Sequence, residues 1–313
     1  MQKTILTGSV ESGSKSASPK TLPENIYQKA DPALDDTLNI LMIGNSFCYY
    51  YVEELYGMLE SVGIKANVCN VYYSGCSLEQ HWNWWKAGEA NYQYFQTNAD
   101  GRVRLPQDED VNLEWSLQQQ NWDIISLQEA GARPYPGAEA HFEVSKGWCT
   151  DLIHYLKEQF PLSRYLWHQT WSRQVGYNRN GIKLESAEVQ AANALEVKKY
   201  CKAICRELDL ERVNSGEAWQ IVREEYGYDK MCARIGKGEN HEGDYYHDGD
   251  IGGGQYLNAC VWFEVITGQS CVGNTYRPTY EIDGEKVSLP EEQIAMFQQS
   301  AHKAVEQMKA EIN

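Results

Sequence analysis

The chain predicts an α/β fold: a flavodoxin-like three-layer α/β/α sandwich around a central parallel sheet of about five strands. Three observations predict it. Short apolar runs such as Leu38 to Ile43 recur without alternating polar residues, as in strands covered on both faces. Stretches with helical spacing separate these runs, so strand and helix alternate along the chain. Each run also ends in small or polar residues, and open α/β sheets bind ligands at those strand ends.

Residues 1–36 are rich in Ser, Gly, Lys and Pro and read as a tail or linker. One domain follows over residues 37–313, with no internal repeat and no shift in composition. Its first strand, Leu38 to Ile43, is broken by Gly44-Asn45-Ser46, and a helix resumes over Val52 to Leu59. The second strand is Lys65 to Tyr73, ending at Ser74-Gly75-Cys76-Ser77. Ser77 with Gln80 three positions on has the pattern of a capping box, which starts the next helix. That helix carries His81, Trp82, Trp84 and Trp85, and the tryptophan spacing spreads indoles around its axis, so at least one is exposed or lines a cleft.

Arg102 to Leu117 reads as a small hairpin or loop with a short helix after it. Trp122 to Gln128 is the third strand, followed by a loop with Gly131, Pro134 and Pro136 and a helix over Glu143 to Phe160. Arg164 to Thr170 is the fourth strand, Glu185 to Leu208 a long helix, and Glu211 to Asn214 a short fifth strand. Gly236 to Gly254 is a long loop rich in Gly, Asp and His, and Gln255 to Thr267 and Pro290 to Ile312 close the chain as helices.

In a parallel sheet the polar strand ends share one edge, so Ser46, Gly75, Gln128 and His168 converge with the late loop. A serine hydroxyl becomes a useful nucleophile when an imidazole takes its proton, and a carboxylate must hold that imidazole in the right tautomer. Asp244-Tyr245-Tyr246-His247 supplies both at a spacing that lets them share one face of a turn. Ser46 is thus the candidate nucleophile, His247 the base and Asp244 its orienting carboxylate. The tetrahedral intermediate also needs an oxyanion hole. The amides of Ser46 and Gly75 and the side-chain amide of Gln128 are the candidate donors, each worth about 2.7–4 kcal/mol of barrier. His168 is the rival base, but a histidine in an apolar strand is more often a satisfied core residue, here with a place behind the site or against the substrate as its other reading. His81, Trp82 and Trp85 are candidate substrate-binding residues, because indole faces suit sugar rings.

These blocks resemble the SGNH (GDSL-like) hydrolase superfamily, and more narrowly a branch common in gut bacteria. Gly44-Asn45-Ser46-Phe47 is similar to the family's Gly-Asp-Ser turn, Gly75 to its second-block glycine, and Asp244 and His247 to its closing Asp-x-x-His. The resemblance spans roughly residues 37–268. Asn45 stands where the family has Asp, a change expected to matter little because that side chain shapes the turn. Gln128-Glu129 stands where the third block has Asn-Asp and adds a methylene to the donor arm. The resemblance implies an esterase that removes acyl groups, chiefly acetyl, from sugars or small esters.

Composition narrows the alternatives. A formal net charge of −16 argues against nucleic acid and anionic membranes as partners, and no apolar run approaches the length of a membrane span. The first residues lack a signal peptide's basic start and apolar core, and the nine cysteines show no paired metal spacing, so a reducing, cytoplasmic setting is the expectation. No cofactor or metal is expected. The Asn240 to Asp250 segment lacks both the zinc-protease spacing and the terminal Glu of a calcium loop, and the first turn lacks Gly-x-Gly-x-x-Gly. The partner is therefore a small-molecule or carbohydrate ester. The competing class is a carbohydrate-binding protein of the same fold without turnover.

Overall fold

The structure is a computed structural model that describes residues 36–130, 138–179, 181–227, 231, 253–282 and 284–312. Its frame is a seven-stranded sheet. Five strands are parallel: β1 (Leu38–Gly44), β2 (Ala66–Tyr72), β5 (Ile124–Leu127), β6 (Arg164–His168) and β9 (Glu211–Val213). Two more, β3 (Gln93–Asn98) and β4 (Gly101–Arg104), form an antiparallel hairpin beyond β2. The full order is β4-β3-β2-β1-β5-β6-β9. The expected strands are thus all present and the sheet is two strands wider. Tyr92, just before β3, and Tyr94 within it are both buried, a period of two that belongs to a strand entry rather than to the end of a helix.

Successive residues of the parallel strands feed two separate cores, so neither face is left to polar residues. Ile40, Met42, Val68, Ile124, Leu166 and Val213 face one core, whereas Leu41, Ile43, Cys69, Val71, Ile125 and Trp167 face the other. The first core is closed by α1 (Val52–Glu60), α6 (Ser215–Tyr226), α7 (Gly254–Thr267) and α8 (Glu291–Ile312). The second is closed by α2 (Leu78–Ala87), the short α3 (Leu113–Leu117), α4 (Ala138–Gln159) and α5 (Ala187–Leu208). Helix α7 is apolar around most of its circumference and buried from Gly254 to Glu264, as a helix enclosed by others must be. Two small hairpins, β7–β8 (Asn178–Arg179, Ile182–Lys183) and β10–β11 (Thr279–Ile282, Glu285–Ser288), lie outside the main sheet. Neither hairpin nor α6 is marked by the sequence reading, the hairpins because their strands are too short to show a period.

Among the parallel strands the order is second, first, third, fourth, fifth, which is the flavodoxin order. Its topological switch point lies between β1 and β5. The crevice beyond the C-terminal ends of those two strands is where such sheets take ligands. Ser46 follows β1 and Gln128 follows β5, so the two candidates flank the switch point.

Candidate active site

Beyond β1 the backbone turns at Asn45 into a single 3₁₀ turn, Ser46–Cys48. Asn45 is buried and its side chain uses three bonds at once. Its Oδ1 accepts from the Phe47 amide at 3.0 Å and from Gln128 Nε2 at 2.8 Å, while its Nδ2 donates to the Cys76 carbonyl at 2.7 Å. One side chain therefore ties the serine turn to the loop after β2 and to the end of β5. Ser46 itself is half-buried beside this hub.

The loop after β2 is held from both sides. Tyr73 donates its amide to the Gly44 carbonyl at 3.3 Å, continuing the register of Tyr72 with Gly44. Gly75 is exposed at φ +68°, in the left-handed region where a side chain would be strained. The expected capping box is present: Ser77 Oγ accepts from the Gln80 amide and Gln80 Oε1 from the Ser77 amide. Buried Glu129, next to Gln128, reaches across with Oε1 to accept from the amides of Leu78 at 3.1 Å and Ala130 at 2.7 Å. Burial alone would raise the Glu129 carboxyl, but the His141 imidazole 3.4 Å from Oε2 and those backbone amides hold it below its usual range. Glu129 thereby locks the start of α2, and with it the Gly75 loop, to the end of β5.

The hydrogen bonds also fix the direction of each amide. Asn45 Oδ1 faces a backbone N–H and its Nδ2 a backbone carbonyl, so its orientation is set. Gln128 must then present Nε2 to Asn45, which leaves its Oε1 facing His168 Nδ1 at 3.2 Å. His168 therefore carries its proton on Nδ1, and its bare Nε2, 3.0 Å from Ser215 Oγ, accepts from that hydroxyl. Burial pushes the His168 imidazole down to about 3, so it stays neutral through the physiological range. With both nitrogens engaged, His168 braces Gln128 from behind. The His168–Ser215 pair has the composition of a nucleophile and base, but both residues are buried in the interior.

The second nitrogen-bound hydrogen of Gln128 Nε2 remains for another acceptor, because Asn45 takes only one. The methylene that lengthens this arm, compared with asparagine, is accommodated by its passage over Gly44. A Cβ on Gly44 would lie 2.8 Å from Gln128 Cδ and 2.9 Å from Cys48 Sγ. Beyond the serine turn, the Arg102 guanidinium carbon of β4 sits 3.5 Å from the Tyr49 ring centroid, and Tyr49 stacks on Tyr72 at 4.3 Å. The added hairpin thus clamps the turn that follows Ser46.

The aromatic helix lies mostly elsewhere. His81 is buried with Nδ1 3.0 Å from the Tyr92 hydroxyl, and burial lowers it to about 4. Trp82 Nε1 donates to Asp151 at 2.9 Å, and Trp85 packs on Tyr155 at 4.7 Å between centroids, so both face α4. The tryptophan of α2 that meets the Gly75 loop is Trp84, edge-on to half-exposed Tyr73 at 4.9 Å. Asp244 and His247 lie outside the described residues. A cavity of about 1320 Å³ opens beside β9, lined by residues such as Lys202, Arg212, Glu264 and Glu311, and none of its lining comes from the strand-end turns. Among the described residues no cluster of His, Cys, Asp and Glu is arranged to hold a metal ion, and no helix is long and apolar enough to cross a membrane.

The sheet order, with the serine turn at its switch point, defines a flavodoxin-like three-layer α/β/α sandwich. The chain belongs to the family described as a domain of unknown function, DUF4886, whose pattern matches residues 39–304. It is similar to the crystal structure of a DUF4886 family protein from Bacteroides uniformis ATCC 8492, at 26% identity over 86% of this chain and 95% of that one, with a TM-score of 0.69. A candidate GDSL-like lipase from Parabacteroides merdae ATCC 43184 matches at 14% identity over 73% of this chain and 94% of that one, with a TM-score of 0.44. Phospholipase A1 from Streptomyces albidoflavus NA297 matches at 10% identity over 74% and 98%, with a TM-score of 0.39. These two are too distant to bear on function. No curated protein matches the chain.

Sequence reasoning missed Asn45 and Glu129. Asn45 was expected only to shape its turn, yet an asparagine can donate and accept at once, which an ionised aspartate cannot. That difference in residue type was the available signal.

Proposed function

We propose that this protein is a serine esterase that hydrolyses acyl esters, chiefly acetyl esters of carbohydrates. The observation that carries the reading is the convergence on Asn45: its side chain joins the serine turn, the loop of Gly75 and the amide of Gln128 at the switch point. In this reading Ser46 attacks the ester carbonyl and His247 takes its proton, then returns it to the departing sugar oxygen. Asp244 holds the His247 tautomer. The amides of Ser46 and Gly75 and the second N–H of Gln128 receive the oxyanion. Water then attacks the acyl-enzyme by the same route in reverse. The carbohydrate preference rests on the sequence resemblance.

The test is hydrolysis of p-nitrophenyl acetate and of acetylated sugars by the wild-type chain and by Ser46→Ala, with fluorophosphonate labelling of both. Turnover and labelling that disappear in the variant support the reading. A folded protein that binds acetylated sugars without any turnover would make it a binding protein, and labelling at another serine would move the nucleophile.

A further inference from the structure

We propose that Asn45 is a positioning residue whose Nδ2–H assembles the oxyanion hole by tying the Gly75 loop to the serine turn and Gln128. This inference rests on the esterase reading above and adds a residue that touches no substrate. The three proposed oxyanion donors come from three separate segments, and no backbone ladder joins the Gly75 loop directly to Gln128. Glu129 holds the far side of that loop through Leu78, and Asn45 makes the connection beside the serine turn, through a donor on one atom and an acceptor on the other.

The donor end is the discriminating part. Cys76, whose carbonyl receives it at 2.7 Å, directly follows Gly75 in the chain. An ionised aspartate at position 45 would keep both bonds at Oδ1, from Phe47 and Gln128, but would set a second oxygen against that carbonyl in a buried site. Two acceptors at that distance repel, so the loop must withdraw, and Gly75 with it. A protonated aspartic acid restores the link, because its O–H can donate where Nδ2–H did. Burial and the facing carbonyl oxygen both favour that protonated form and raise the carboxyl above its ordinary range.

The experiment compares wild type, Asn45→Asp and Asn45→Ala between about pH 5 and pH 8, reading kcat, KM and the thermal unfolding midpoint at each pH. Near pH 8, Asn45→Asp should lose about tenfold or more in kcat with KM changed less than about twofold. Its kcat relative to wild type should recover as the pH falls and the carboxyl takes its proton. The unfolding midpoint should follow the same course: close to wild type in acid, and lower as the pH rises through the raised pKa. Asn45→Ala, with nothing to protonate, should stay low throughout. Asn45→Asp as active as wild type near pH 8, or a loss that does not change with pH, would overturn the proposal. If wild type hydrolyses no ester at all, the esterase reading fails by itself. The unfolding midpoints then decide whether Asn45 links the segments, and superimposable wild-type and Asn45→Asp midpoints at every pH would reject that link.

Discussion

Replacing Gly44 with alanine asks why the serine turn begins with glycine. Gly44 does not adopt a positive φ, so an alanine would meet no backbone strain there. The obstacle is the side chain that crosses it. The new Cβ would sit 2.8 Å from Gln128 Cδ, 2.9 Å from its Cγ and 2.9 Å from Cys48 Sγ. Gln128 is buried and held at both ends, by Asn45 at 2.8 Å and His168 at 3.2 Å, so it yields only by giving up one of those bonds. Overpacking costs about 1–3 kcal/mol and an orphaned buried amide a similar amount, giving about 2–6 kcal/mol of lost stability. If the displaced amide is also an oxyanion donor, kcat falls by about 10²–10³. Urea unfolding measures the first effect and p-nitrophenyl acetate turnover the second. Wild-type values for both would refute the steric argument. Lost stability with wild-type kcat would leave Gln128 a packing residue and remove it from the oxyanion hole.

Gln128→Ala should lower kcat by about 10²–10³ with little change in KM, and a variant that loses affinity but keeps kcat would make Gln128 a substrate contact. His247→Ala and Asp244→Asn should each remove most turnover, while His168→Ala should cost stability and a modest part of the rate; an inactive His168 variant beside a fully active His247 variant would transfer the base to β6. His168 and His81 are lowered to about 3 and about 4 by burial, so from about pH 6.5 downward the unfolded chain binds protons that the folded one refuses. Stability should therefore fall with acid by up to about 1.4 kcal/mol per pH unit for each group, and urea midpoints that stay level from pH 6.5 to 4 would contradict it. Glu54 has the opposite sign: burial raises it to about 8, so its protonated form favours the folded state and that contribution is lost as pH rises from about 4.5 through 8. Glu54→Gln should leave stability near wild type at pH 5 and exceed it at pH 8, and equal midpoints at pH 8 would refute the shift.

The parallel strands were legible because both faces are buried and their apolar runs carry no competing signal. The polar edge shared by the strand ends followed from alternation and from the residues that end each run, whereas the strand order that sets the switch point came with the structure. The hairpin β3–β4 was not, because its alternation in Tyr92 and Tyr94 sits directly after an aromatic helix and reads as more of the same packing. Tertiary partners decide the roles of Trp82 and Trp85, which the spacing alone left open: α4 supplies Asp151 and Tyr155, and nothing local to α2 announces them. The role of Glu129 was hidden for a related reason. Its acceptors are used by amides of two segments, one of them some fifty positions earlier in the chain.

Asn45 shows how far residue type can be pressed when geometry is added. Read alone, an asparagine before a serine is a turn former, interchangeable with aspartate. Placed between a carbonyl and two N–H groups, it becomes a directional element, and its direction passes along Gln128 to His168 and Ser215. The backbone groups at the Asn45 end cannot reverse, so each amide and tautomer beyond them is fixed in turn. This also explains why His168, the more obvious histidine in the sequence, is suited to bracing: its basic nitrogen is already occupied by a hydroxyl in the interior. On the esterase reading proposed above, the base then comes from a group outside this network. The segment carrying Asp244 and His247 leads into α7, whose Trp262 packs against both Tyr51, at the start of α1, and His168. That seats the helix following the candidate base against the serine turn's own helix. Variants of His247 therefore discriminate more sharply than any further substitution within the Asn45 network.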